Sequence, residues 1–359
     1  MLEVFIKIII SKSTSFLKFR AKNVIMEMMK KLNFAKIFGW IFLLILVGGS
    51  IFAGVNFQQI QDYFKAKNFN PSVEILQIVE KIKPTENGKQ IFYATNPQLL
   101  SAENFNQNCS NSLEKTAILG CYKADEIFIF DIDNSELDGI KEVTSAHELL
   151  HAVWARMSDS ERKSLGEKLR AEYEKLKTPD FEKLMESYAI TQPGEHENEL
   201  HSIIGTEYGN LSSELEQHYA RIFENRQEIV EMNKKYRSKF KELEQNAENL
   251  SQEIKKLEAE ISAEKDDYSA KTDLLNVDIE TFNANAKNGF YLSEAIFQRD
   301  RQNLLAQVNF LTEYRAQINS KIENYESKIA ELKQISTKIQ RLYDSINSKI
   351  EKVEQAASL

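Results

Sequence analysis

The chain has 359 residues, 42% hydrophobic and 28% charged, with a formal net charge of -8. That length admits more than one domain, and that apolar content excludes a chain disordered throughout. Mild acidity without a basic stripe excludes a general nucleic-acid binder, because neutralising phosphates takes clustered Lys and Arg.

Residues 1–36 carry Lys7, Lys12, Lys18, Arg20, Lys22, Lys30, Lys31 and Lys36 against Glu3 and Glu27. Residues 37–55 then run for 19 positions without a charge, close to the ~20 that a membrane helix needs. Together they predict a basic cytoplasmic N-terminus, one transmembrane helix over 37–55, and a single-pass cell-membrane protein with its C-terminal domains extracytoplasmic. A cleaved signal peptide is the alternative; the apolar run is long for one, and Ile51/Ala53 is a poor small-x-small cleavage pair. A short basic lead before an apolar run points to Met26, Met28 or Met29 as the start.

Residues 56–70 read as a polar stalk, and Pro71-Ser72 opens a helix with apolar positions Val73, Leu76, Ile78/Val79 and Ile82. Strands are expected at 89–95 (KQIFYAT), 117–122 (AILGCY) and 126–132 (EIFIFDI), with a short polar helix after Pro97. Cys109 and Cys121 stand 12 apart and can close a disulfide or remain two buried thiols; no CxxC spacing suggests a thiolate metal site. A helix follows over 137–157, Ser158 and Glu161 form a capping box for the next, and Thr178-Pro179-Asp180 restarts the chain into another. All five prolines precede residue 200 and only Gly289 interrupts the last 149 residues, so long helices are expected there. Phe240, Leu243, Ala247, Leu250, Ile254, Leu257 and Ile261 alternate steps of 3 and 4, and a second run from Leu304 to Val353 does the same. That is a heptad seam, and with a turn near 283–292 it predicts an antiparallel coiled-coil hairpin over 226–359. One continuous rod dimerising in parallel is the alternative. The seam also allows self-association or a protein partner, and the aromatics of Asn288-Gly289-Phe290-Tyr291 can be a contact patch or a hairpin cap packed on itself.

Chemistry is concentrated in Thr144-Ser145-Ala146-His147-Glu148-Leu149-Leu150-His151, an H-E-x-x-H pattern on a predicted helix. His147 and His151, at i and i+4, share a helix face, so both imidazoles can reach one Zn2+ while Glu148 acts as general base and acid. Histidine occurs only 5 times in the chain, and His196, His201 and His218 follow within the next 67 residues. Position 154 is Trp and position 157 is Met, so the metzincin extension H-E-x-x-H-x-x-G-x-x-H is absent. The best candidate for a third zinc ligand is Glu199 in PGEHENELHSIIG, where Glu197, His196, His201 and Glu207 compete. Tyr208 and His218, with Tyr219 and Tyr188 behind them, are the candidates for a donor to the oxyanion.

On these motifs the chain resembles the gluzincin group of zinc metallopeptidases over about residues 71–225. The resemblance implies an α+β zincin-like domain in which a small sheet and active-site helices form the cleft and a glutamate on a later helix completes the zinc site. It also implies an edge strand, 117–122 or 126–132, that binds substrate backbone by strand addition. The gap of 47 residues between His151 and Glu199 departs from the shortest spacings of that group. The expected activity is hydrolysis of peptide bonds in a peptide or protein substrate at the cell surface. The alternative is a membrane-anchored coiled-coil scaffold or adhesion protein with a structural or inactive zincin-like domain.

Overall fold

A computed structural model describes residues 18–27, 34–109 and 119–348, without the side chains of 34–37, 51–53 and 55. Lys7, Lys12, Lys30, Lys31, the first two residues of the strand expected at 117–122, and the last seam positions Ile350 and Val353 lie outside the described residues. The chain divides into two units, Met1–Lys65 and Ala66–Leu359.

In the first unit, α1 covers residues 18–27 and α2 covers Phe34–Val55; α3, Phe57–Asn68, begins here and runs into the second unit. Among the described residues no helix is long and apolar enough to cross a membrane. The transmembrane helix expected over 37–55 is therefore corrected, and with it the single-pass, extracytoplasmic localisation. After Val55 the chain turns at Asn56 into the polar helix α3, where a stalk was expected.

The second unit is predominantly helical, which corrects the α+β expectation. The segment read as a strand at 89–95 lies in helix α5 (Glu86–Ala94), because Thr85 caps it by accepting from the Gly88 N–H and its aromatics take helical rather than alternating positions. The polar helix expected after Pro97 begins instead as strand β1 (Gln98–Leu100) and continues as α6 (Ala102–Cys109). β2 (Gly120–Lys123) and β3 (Glu126–Phe130) complete a three-stranded sheet of order β1-β3-β2. β1 pairs parallel with β3, Leu99 opposite Ile129, and β2 pairs antiparallel, Cys121 opposite Phe128. Among the described residues β3 is thus central and β2 is an edge strand.

Against this sheet lies α7 (Ile140–Ala155), buried along most of its length and surrounded by α4 (Val73–Ile82), α5 and α10 (His196–Glu207). Ile75, Ile78, Phe92, Leu149, Leu150, Val153, Leu200, Ile203 and Ile204 form the core between them. α8 (Asp159–Leu176) starts with the Ser158/Glu161 capping box, and α9 (Pro179–Thr191) starts from Thr178 with Pro179 in its first turn. α11 (Ser213–Tyr219) leads to α12 (Arg226–Lys287), which turns at Gly289, φ 73°, into α13 (Glu294–Ile346).

Contacts between the long arms run in opposite directions along the chain: Phe240 with Tyr343, Lys328 with Glu253, Lys321 with Glu260, Tyr268 with Tyr314, and Phe282 with Phe297. The arms are therefore antiparallel. Leu250, Ile261 and Leu275 on one side and Leu311 and Ile318 on the other are buried in their seam. At the tip Phe290 and Leu292 are exposed, while Tyr291 packs on Phe282 and Phe297.

Candidate metal centre

The close approach of two helices builds the site. His147, Glu148 and His151 project from α7, while Glu199 comes from the first turn of α10. α10 can lie against α7 because position 205 is glycine: a Cβ there would sit 2.5 Å from Leu150 Cδ1 and 2.7 Å from the Tyr219 ring. Leu200, Ile203 and Ile204 bury one side of α10 and so turn Glu199 toward the two histidines.

The His147 and His151 Nε2 atoms lie 3.1 Å apart. His147 Nε2 is 3.8 Å and His151 Nε2 3.7 Å from different oxygens of the Glu199 carboxylate. All three potential ligand atoms fall within 4.8 Å of one another. Burial, reinforced by the neighbouring His151, holds His147 well below the ordinary histidine range, so its lone pair is available at neutral pH.

A further layer orients these groups. Asn198 Nδ2 donates to Glu195 Oε2 at 2.9 Å, which points its carbonyl oxygen at His151 Nδ1, also at 2.9 Å. His151 therefore donates from Nδ1 and keeps Nε2 free as a ligand. Ser202 Oγ lies 3.3 Å from the same Nδ1.

Competing ligands are engaged elsewhere. Glu197 pairs with Arg170, Glu207 pairs with Arg237, and His196 packs edge-on to Tyr173. His201 is fully buried, its Nε2 2.8 Å from His218 Nε2 and its ring stacked on Tyr219. Among the described residues His201 Nδ1 is buried without a hydrogen-bond partner.

A cleft of about 1080 Å³ passes over the cluster, lined by β2, α7 and the Gln192–Glu199 segment. Glu148 is almost fully buried at its floor, beneath β2. A Cβ at Gly120 would stand 2.8 Å from Glu148 Oε1 and 2.6 Å from Thr144 Cγ2. Gly120→Ala should therefore push β2 or Glu148 aside and cost about 1 to 3 kcal/mol, as urea denaturation would show.

Tyr208 and His218 do not line this cleft. Tyr208 stacks on Phe181, centroids 5.1 Å apart, and burial pushes its phenol up to about 12. Tyr219 is buried and donates to the His201 carbonyl. Tyr122, Tyr188 and Tyr236 are the described tyrosines that line the cleft, and the Tyr122 hydroxyl donates to Asp125 at 3.0 Å. Tyr236 gave no sequence signal because it lies in the first turns of a coiled-coil arm. Asn198 gave only its position beside Glu199.

The histidine pair behind the site makes stability depend on pH. Burial, with Arg221 and Lys168 adding to it, lowers His218 to about 4, against about 6.5 in an unfolded chain. The unfolded state then binds the extra proton, so stability is fully present above pH 6.5 and falls as pH drops toward 4. Relative to His218→Gln, the wild type should lose about 2 to 3 kcal/mol between pH 7.5 and pH 4.5, measured by urea denaturation at both pH values.

No protein family, curated protein or solved structure matches the chain.

Proposed function

We propose that the chain is a zinc-dependent peptidase. The observation that carries this reading is the meeting of His147, His151 and Glu199 within 4.8 Å, beside Glu148 in an open cleft under an edge strand. Two imidazoles and one carboxylate fit zinc, whereas magnesium and calcium prefer all-oxygen sets. When bound, zinc would supply a Lewis acid that polarises the substrate carbonyl and acidifies water.

The chain's own residues do the rest. His147, His151 and Glu199 hold the ion, with Asn198 fixing the His151 ring. Glu148 takes the proton of the attacking water and delivers it to the leaving amine. Strand β2 offers its free backbone edge to an extended peptide. Tyr188 or Tyr236 supplies a hydroxyl donor to the developing oxyanion.

A coiled-coil scaffold with a structural metal centre is the second reading, favoured by arms of 62 and 53 residues. Elemental analysis of the purified chain after zinc addition, followed by incubation with a mixed peptide library, tests the first reading. About one zinc per chain with new peptide termini is the expected result. A chain that retains no zinc overturns it; zinc without cleavage favours the scaffold.

A further inference from the structure

A continuous set of contacts links the return arm of the hairpin to Glu148. Near the base of the hairpin Tyr343 packs on Phe240, centroids 5.1 Å apart, and donates to Glu244 at 2.9 Å, tying α13 to α12. Just beyond, Leu342 is buried among Phe105, Cys109, Phe128, Phe130 and Leu137. Ser348 and Asn106 then bond twice, Asn106 Nδ2 to the Ser348 carbonyl at 2.6 Å and Ser348 Oγ to Asn106 Oδ1 at 2.8 Å. These contacts fix α6, whose last residue, Cys109, is disulfide-bonded to Cys121 of β2. Next to Cys121 is Gly120, the residue packed against Glu148.

The first arm is anchored elsewhere. Arg226 donates to the carbonyls of Gly205 and Tyr208 at the end of α10, Arg237 pairs with Glu207, and Tyr236 lines the cleft. α12 is thus seated on the helix that carries Glu199, and α13 on the helix that carries the disulfide to β2. Pairing of the arms at their base sets the position of one cleft wall against the other.

We infer that the hairpin is a working part of the cleft: Asn106 and the C-terminal turn of α13 position β2 over Glu148 through the Cys109–Cys121 disulfide. The mechanical coupling stands on these contacts alone; its consequence for hydrolysis rests on the peptidase reading above. A partner that pulls the arms apart would loosen β2 and lower turnover without removing the metal.

Hydrogen exchange of the full-length protein, read by mass spectrometry on fragments covering 119–123, 140–155, 196–207 and 338–348, tests the coupling. In Asn106→Ala and, separately, Leu342→Ala, exchange at 119–123 should rise about tenfold together with 338–348, while 140–155 and 196–207 stay protected. In a Cys109→Ala/Cys121→Ala background Asn106→Ala should add nothing at 119–123, whereas Leu342→Ala still acts through the packing of Leu342 with Phe128, Phe130, Leu119 and Cys121. Faster exchange at 338–348 with 119–123 unchanged would overturn the inference, as would full additivity of Asn106→Ala in the background without the disulfide. Should Leu342→Ala not fold, the milder Asn106→Ala decides. Zinc content and peptide turnover are read on the same samples. Absence of turnover in the wild type would count against the peptidase reading only, whereas loosened β2 with unchanged turnover in an active enzyme would refute the positioning role.

Discussion

Glu148→Gln should abolish most hydrolysis and leave zinc binding intact. The substitution keeps the shape of a side chain that Gly120 packs against, so the packing of β2 on α7 is preserved. It removes the only function the mechanism assigns to position 148, the acceptance and return of a proton. General acid–base catalysis contributes about 10² to 10⁴ in rate, and kcat should fall by that range. KM should change little, since β2 and the cleft walls are untouched. Peptide turnover under saturating substrate, paired with elemental analysis, makes the measurement. A variant as active as the wild type would take Glu148 out of the chemistry and return weight to the scaffold reading.

The double substitution His147→Ala, His151→Ala should empty the metal centre, taking zinc content from about one per chain to none. The two imidazoles face each other with Nε2 atoms 3.1 Å apart, so both are lost as ligands and the Glu199 carboxylate remains alone. Zinc that binds only the folded chain stabilises it by about 3 kcal/mol when free zinc is roughly 100 times the dissociation constant. Chelator should therefore lower the denaturation midpoint of the wild type and leave the variant unmoved. The same comparison separates the candidate third ligands: Glu199→Ala should behave like the double variant, and Glu207→Ala, which breaks only the pair with Arg237, should keep its zinc. Retention of zinc by Glu199→Ala would reassign the third position.

Local signals in the sequence were read well where the chemistry is short-range. The i, i+4 spacing places His147 and His151 on one face of any helix, whatever surrounds it. Ser158 and Glu161 form their reciprocal cap because both partners lie within one turn. The 89–95 segment carries strand propensity in its Ile, Phe and Tyr, yet Thr85 and Gly88, just upstream, start a helix that packs against Ile222. At Gly88 a Cβ would collide with the Ile222 carbonyl oxygen, a contact between segments far apart in the chain that no local window contains.

The 19 charge-free residues 37–55 lie in α2, and among the described residues no helix is long and apolar enough to cross a membrane.

By itself the sequence determined that His147 and His151 share one helix face, through their i, i+4 spacing, and it set the long heptad arms through their 3–4 steps. Both are properties of single helices, set by periodicity. Only the tertiary structure decided that Glu199 faces the histidines while Glu197 and Glu207 pair with arginines, that Tyr188 and Tyr236 rather than Tyr208 and His218 reach the cleft, and that β2 lies over Glu148. Those outcomes depend on how closely two helices and a strand approach, which Gly205 and Gly120 permit and which the sequence records only as two missing side chains.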